Sequence, residues 1–547
     1  MGAGQGLASK GSGTNGTLDV RLIGLNDLHG NLEPPSGSSG LVTIPGQPSV
    51  PAGGASYIAT HIQQLKSQVP HSYVVGQGDM IGASPLASAL FHDEPTIEFL
   101  NQVGMTTSSA GNHEFDEGYL ELLRVQTGGC HPEDGCQFHN PYRGAKFPFL
   151  GANVVFKGSG LPALPPFWLS YANGIPVGYI GMPLKGTPEI VAAAGIKDLE
   201  FKDEITSANK YARLLDLLGV KTIVLVLHQG DPAGAGGPND CNNVAGPGRV
   251  IAEGVSSKID VVFGGHSHQQ FNCTVNDPAG KPRPYIQGLS FGRILSVVDL
   301  KVDRRTKDVI RDQTVANNHI VTRDVPMDAA AEALVQEAKT KSAPIANRPI
   351  GAVSADILRA AVPSGESALG NLIADAQLAG TQAAGAQIAL MNPGGVRSDL
   401  TYASGPAGEG DGVVTYGEAF TVQPFGNVMT TITLTGAQIK AVLEQQWQPT
   451  TTRILQPSAG FTYTWSQSAP VGSKISDIEL NGTPIDPAAS YRVSVNNFLA
   501  DGGDGFTALR DGTNRVGGAV DLDAFTDYLE ANAPVGPPAT NRITRVA

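Results

Sequence analysis

The sequence predicts two α/β units in series, and three observations carry that expectation. Short β-branched runs alternate with helical segments from Asp19 to about Asp324. An Ala/Glu/Gln/Lys-rich stretch, PMDAAAEALVQEAKTKSAP, then interrupts the alternation, which restarts after it. Finally, 68 Gly and 38 Pro among 547 residues call for many tight turns and exclude a long uninterrupted helical architecture.

The elements follow in order. Residues 1–17, rich in Gly, Ser and Asn, show no periodicity and read as a disordered tail. In the first unit DVRLIGL, SYVVGQG, PVGYIGM, KTIVLVLHQ and IDVVFGG read as strands, while PTIEFLNQVG and SANKYARLLDLLG read as helices. The interrupting stretch reads as one exposed connecting helix ending at Pro344. In the second unit GNLIADAQLAG and TLTGAQIKAVLEQQ are expected helices, AQIALMN and YRVSVNNFLA expected strands. The expected boundaries are a first domain over 18–326, a helical linker over 327–350 and a second domain over 351–547.

Charge and cysteine narrow the function classes. A net charge of -13 with no sustained basic run leaves no electrostatic footprint for a nucleic-acid polymer, and a small anionic substrate needs a local positive site. No apolar run approaches the roughly 20 residues that span a bilayer. The start, MGAGQGLASKGSGTNG, lacks signal-peptide regions, so the chain reads as soluble and mature. Cys130 and Cys136 bracket HPEDG, and Cys241 and Cys273 flank a histidine pair, a pattern that suits two local disulfides in an exported protein. Four unrelated thiols of a cytosolic enzyme are the alternative, and none has CxxC metal spacing.

Polar residues cluster just after the expected strands: Asp27 and His29 in LNDLHGN, Asp79 in VGQGD, Asn112 and His113 in GNHEFD, His228 in VLHQG, His266 and His268 in GGHSH. Taken singly, a DxH or HxH is more often a turn capped by its own side chains. Five strand ends acting together converge on one pocket, the usual place for a ligand in an α/β sheet. Carboxylate, imidazole and amide oxygen suit two divalent ions of the Zn, Mn or Fe type rather than Ca. Ions about 4 Å apart, sharing Asp79, would clamp the attacking and leaving oxygens of phosphoryl transfer.

The ordered motifs NDLHGN, GQGD, GNHEFD, VLHQG and GGHSH resemble the calcineurin-like metallophosphoesterase signature. With GNLIADA, NPGGVR, VQPFGN and NNFLADGGDGF, the chain resembles the bifunctional UDP-sugar hydrolase and 5'-nucleotidase family over nearly all of residues 19–547. The resemblance implies a four-layered α/β/β/α sandwich followed by an α/β substrate-binding domain. It implies one ion on Asp27, His29, Asp79 and His268 and another on Asp79, Asn112, His228 and His266, with His113 and Asp116 as a catalytic dyad. A nucleoside would stack between Phe425 and Phe498, with Asn392, Gly395, Arg397 and Asp504 also at the substrate. Read without the resemblance, both rings are core residues and Asp116 is an acidic residue at the start of a helix.

Two features depart from the family. Its members commonly carry an arginine just before the GNL segment, where this chain has AAVPSGESALGNL and Arg359 is the nearest candidate. The CHPEDGC loop reads as a disulfide-pinned loop near the metal pocket, either a specificity element or plain surface. The expected activity is hydrolysis of 5'-nucleotides by a secreted, periplasmic or cell-surface enzyme, its two domains closing about a hinge near the 327–350 connector. UDP-sugar pyrophosphatase or 2',3'-cyclic nucleotide phosphodiesterase is the alternative within the class. A noncatalytic metal-stabilised surface protein is the alternative outside it, disfavoured because His113 and Asp116 are not needed to hold metal. Oligomeric state is left open.

Overall fold

The computed structural model describes residues 16–547 apart from 36, 235, 406, 407 and 450. The expected tail thus lies, from 1 to 15, outside the described residues. Thr17, also assigned to it, instead opens the first strand, β1 (Thr17–Leu25). The strand starts two residues before the expected Asp19 because Thr17 and Leu18 already pair with Asp303 and Val302 across the sheet.

The first unit continues through β2 (Ser72–Gly76), β3 (Met105–Ser109), β4 (Phe149–Leu150), β5 (Phe167–Ala172), β6 (Ile175–Met182), β7 (Thr222–Leu227), β8 (Val261–Phe263), β9 (Phe271–Asn276), β10 (Pro282–Gln287), β11 (Ile294–Asp303) and β12 (Val315–Ile320). These form two six-stranded sheets, ordered β12-β11-β1-β2-β3-β4 and β9-β10-β8-β7-β6-β5. β1 to β4 are parallel neighbours, as are β6, β7, β8 and β10. The main helices are α1 (Ala55–Gln68), α2 (Glu94–Gln102), α3 (Tyr119–Thr127), α4 (Glu204–Leu217), α5 (Pro247–Gly254) and α6 (Ala329–Ala346), with a single turn over Leu86–Ala89 besides.

Alternation along the strands builds the layers. Leu18, Val20 and Leu22 of β1 and Val298 and Leu300 of β11 face inward, meeting Tyr179, Val224, Val226 and Phe263 of the other sheet. The intervening residues face out: Ile23 and Leu25 pack with α1, α2, α3 and α6, while Ile223, Leu225 and Leu227 pack with α4 and α5. The result is the expected α/β/β/α sandwich. TIVLVL is buried at every position because a central parallel strand is covered on both faces. The two cysteine pairs close as local disulfides, Cys130–Cys136 and Cys241–Cys273.

The connecting helix differs from expectation. α6 is not simply exposed, since Ala331, Leu334, Val335 and Ala338 bury one face in the first unit's core. Their i, i+3, i+4, i+7 spacing is a true apolar stripe that the alanine-rich composition masks. Asp328 caps the helix by accepting from the N–H groups of Ala330 and Ala331. Pro344 lies inside the helix, which runs on to Ala346.

In the second unit, β13 (Ile388–Met391), β14 (Val428–Thr435), β15 (Gln456–Pro457), β16 (Phe461–Ser466), β17 (Ile475–Leu480), β18 (Thr483–Pro484), β19 (Ser490–Asn496), β20 (Thr513–Val520) and β21 (Ile543–Val546) form two sheets. Their orders are β15-β13-β19-β14-β20 and β18-β17-β16-β21. The main helices are α7 (Ala368–Gly380), α8 (Tyr416–Val422), α9 (Gly436–Glu444), the short α10 (Asn497–Ala500) and α11 (Asp521–Asn532). Two expected elements split at their caps. The TLT of TLTGAQIKAVLEQQ ends β14, where Thr435 and Gln438 form a reciprocal capping box that starts α9. Likewise YRVSVNNFLA is strand only to Asn496, whose side chain accepts from the Leu499 N–H and starts α10.

Between the first unit's sheets Gly24 and Phe263 interlock: a Cβ on Gly24 would lie 2.9 Å from the Phe263 ring, so the ring occupies the place of a side chain. Phe263→Ala is expected to lower unfolding free energy by about 3–5 kcal/mol in a urea melt; a loss under about 1 kcal/mol would deny the interlock its importance.

Candidate active site

The expected metal ligands and His113 all follow the carboxyl ends of parallel strands: Asp27 and His29 follow β1, Asp79 follows β2, Asn112 and His113 follow β3, His228 follows β7, and His266 and His268 follow β8. Both sheets therefore contribute to one place. Five of these residues adopt left-handed backbone: Asp27 (φ 49), His29 (φ 48), Asp79 (φ 52), His266 (φ 68) and His268 (φ 54). Each such non-glycine residue costs on the order of 1 kcal/mol, and their concentration here marks a functional site. The loops hold one another in this shape. The His29 N–H donates to the Asp79 carbonyl at 3.0 Å and the Phe291 N–H to the Asp27 carbonyl at 2.7 Å. The His266 N–H donates to the Asp27 carboxylate at 2.9 Å.

Glycine is required at two adjoining positions. A Cβ on Gly78 (φ 88) would lie 2.6 Å from His228 Nδ1, and one on Gly111 would strike the Asp79 carboxylate. Glu114, fully buried, accepts from the N–H groups of Asp79 at 2.9 Å and Met80 at 2.8 Å, and from that of Gly111.

Donor atoms gather in two groups that share Asp79: Asp27, His29, Asp79 and His268 lie within 4.8 Å of one another, as do Asp79, His228 and His266. His29 spends its Nδ1 hydrogen on the Gly82 carbonyl at 2.8 Å, which leaves the Nε2 lone pair facing His268 Nε2 at 3.1 Å. His228 likewise donates from Nδ1 to the Gln77 carbonyl at 2.7 Å, and its Nε2 faces Asp79 Oδ2 and Asn112 Oδ1, each at 3.1 Å. A nitrogen lone pair opposed to two oxygen acceptors is repulsive unless a cation or a proton stands between them. The donor set and its orienting carbonyls fit divalent metal.

Charge states agree with that fit. Burial holds His29 and His268 well below the usual imidazole value and pushes His266 down to about 3, so all three are neutral, as ligation requires. Burial opposes charge on His228 too, but Asp79 and Asp27 outweigh it and push the residue up to about 9, a proton in the cation's place.

His113 Nδ1 meets Asp116 Oδ2 at 2.7 Å. Burial works against its proton, and the carboxylates of Asp116 and Asp79 overcome burial to raise it. The second unit reaches this residue directly: the Phe425 ring stacks on His113 at 5.7 Å with 17° between planes, and the Arg397 guanidinium lies over that same Phe425 ring, 5.7 Å from its centroid. The Arg397 guanidinium also senses Asp79, Asp116 and Asp27. Asn392 donates to Asp504 at 2.8 Å, and Gly395 is pressed against Met391. Phe498 packs against Gly503 and the second unit's core.

Four residues at the site were not singled out from sequence. Glu114 lies inside GNHEFD, so its motif was visible but its clamp on three N–H groups was not. Phe291 walls the centre, its ring 5.9 Å from His29 and 5.7 Å from His268. Arg453, in no recognised motif, pairs with Asp504 at 3.3 Å, and its charge reaches His266. Arg293 stands 5.6 Å over Phe291. Arg359 is exposed, and its charge is felt by Arg397.

Residues 20–270 match the calcineurin-like phosphoesterase family, and residues 346–511 match the 5'-nucleotidase C-terminal domain. Endonuclease YhcR of Bacillus subtilis is 32% identical over 96% of this chain, which spans 41% of that protein's length. Cell wall protein Lmo0130 of Listeria monocytogenes is also 32% identical, over 96% of this chain and 68% of its own. The crystal structure of a 5'-nucleotidase precursor from Thermus thermophilus matches with a TM-score of 0.79 at 27% identity, covering 97% of this chain and 99% of that one. Fold, donor geometry and these likenesses agree: the chain belongs to the family that joins a calcineurin-like phosphoesterase domain to a C-terminal 5'-nucleotidase domain, and it is a metal-dependent phosphoester hydrolase.

Proposed function

We propose that the enzyme hydrolyses 5'-nucleotides to nucleoside and phosphate. Its domains would span 18–326 and 351–547, joined by a linker over 327–350. The observation that carries this reading is the stack of Phe425 on His113, because it brings the nucleotide-recognising half of the chain onto the phosphoryl-cutting half. One divalent ion would sit on Asp27, His29, Asp79 and His268, the other on Asp79, Asn112, His228 and His266. Bound there, the ions supply an acidified water and offset charge building on phosphorus.

The chain's own groups do the rest. His113, oriented by Asp116, hydrogen-bonds a phosphoryl oxygen or gives a proton to the leaving oxygen. The Arg397 fork pairs with phosphate, and Asp504 with Asn392 meets ribose hydroxyls. Phe425 and Phe498 hold the base through its π face, which tolerates any base. Gly395, whose missing side chain leaves its place to Met391, would meet the substrate through its backbone. The two disulfides and the likeness to a cell wall protein support a secreted or surface location. The likeness to a protein named an endonuclease supports a second reading, a diesterase using the same centre, which the net charge of -13 disfavours for a polymer.

Chelation is expected to abolish phosphate release from AMP, and Mn(II) or Zn(II) to restore it, with AMP outpacing UDP-glucose, 2',3'-cyclic AMP and DNA. No metal-restored turnover of AMP, with cutting of a diester instead, would replace the nucleotidase reading by the diesterase one. His113→Ala should lower kcat about 10²- to 10⁴-fold without changing bound metal measured by mass spectrometry. Phe425→Ala and Phe498→Ala should each raise KM for AMP about tenfold or more, and leave KM for p-nitrophenyl phosphate nearly unchanged.

A further inference from the structure

The disulfide loop CHPEDGC plays no part in the reading above, yet it carries a second group of metal-type donors. His92 Nε2 lies 2.9 Å from Asp134 Oδ2, and His131 Nδ1 lies 3.4 Å from the same oxygen. These separations resemble those of the donors at the catalytic centre. The Asp134 N–H donates to His131 Nδ1 at 3.2 Å, so that nitrogen is the unprotonated one and its lone pair is held by the N–H until the ring turns away. On its far side His92 donates from Nδ1 to Glu117 Oε2 at 2.8 Å. A carboxylate behind an imidazole is the arrangement that orients a metal-ligating histidine and raises its basicity. Both rings are largely shielded, with side-chain exposures of 15% and 14%.

We propose that His92, His131 and Asp134 form a third cation site, for a borderline divalent metal of the zinc class, with Glu117 as the positioning carboxylate behind His92. Two imidazoles and one carboxylate are a zinc donor set, and the exposed side of Asp134 leaves the fourth position to water. Glu94 and Glu121, which also face His92, are each committed to Arg124 at 2.7 Å and stand outside the set. The His92 and His131 rings stack at 3.9 Å with 15° between planes. Sharing an ion requires His131 to tilt on its loop toward the steep angle seen in the catalytic pair His228–His266, 67°. The ion would fasten the disulfide loop to Glu117, the residue after Asp116.

Without metal, a proton holds the same place: Glu117 above all, against burial and with help from Asp134 and Glu121, pushes His92 up to about 9.

The test is zinc stoichiometry of the full chain, stripped with chelator, dialysed against Zn(II) at pH 8 and counted by mass spectrometry. The wild type should carry one more zinc than His131→Ala or Asp134→Ala, whatever the number held at the catalytic centre. Glu117→Gln, which keeps every ligand atom, should weaken that extra zinc about 10- to 100-fold. Circular dichroism of the loop variants confirms that they are folded. Equal zinc counts in wild type and in both folded loop variants would overturn the proposal, leaving His92 as a protonated ion-pair partner only.

Discussion

The site depends on one buried carboxylate, Asp79, and on what is required to keep it there. It is common to both donor groups, so without it the ends of the two sheets would present two separate half-sites. An ionised group so deep is costly unless charge and hydrogen bonds compensate. The His113 N–H donates to it at 2.9 Å, and imidazoles surround it. Around it, glycine at 78 and 111 clears the space for His228, and Glu114 gathers the N–H groups of both strand-end loops. Left-handed backbone at five proposed ligands is part of the same constraint: strain is spent on aiming donors inward, and a packed four-layer sandwich bears it.

The second unit acts on this centre by charge as well as by shape. In a chain of net charge -13, an anionic phosphoester meets a favourable field only where positive charge is concentrated. The charge of Arg397 acts on His29 and His268, and that of Arg453, held by Asp504, acts on His266. This distribution bears on the arginine absent before the GNL segment: positive charge at the site comes from elsewhere in the second unit, and Arg453 is nearer to the centre's histidines than sequence order suggests. The connecting helix is fastened to the first unit through its apolar stripe, from Ala331 to Ala338.

The class of fold and the strand-end residues were legible from sequence because both depend on local rules. Strands of β-branched residues declare themselves by composition, as TIVLVL does, and a short polar motif following such a strand has little choice but to sit at the sheet's carboxyl edge. The same rules miss what a biased composition masks and where a cap ends an element. The apolar stripe of α6 hid in an alanine-rich run, and the ends of β14 and β19 were set by cap hydrogen bonds rather than by composition.

The sequence by itself determined the α/β architecture, the donor types, the His113–Asp116 spacing and the presence of four cysteines, since each follows from residue identity and short-range spacing. Only tertiary structure decided which cysteines pair, that Glu114 and Arg453 belong to the site, and that His92 meets a loop some forty residues further on. The physical reason is range: propensity and periodicity act over a few residues, whereas a carboxylate's partners are chosen by packing between elements that the chain brings together only on folding.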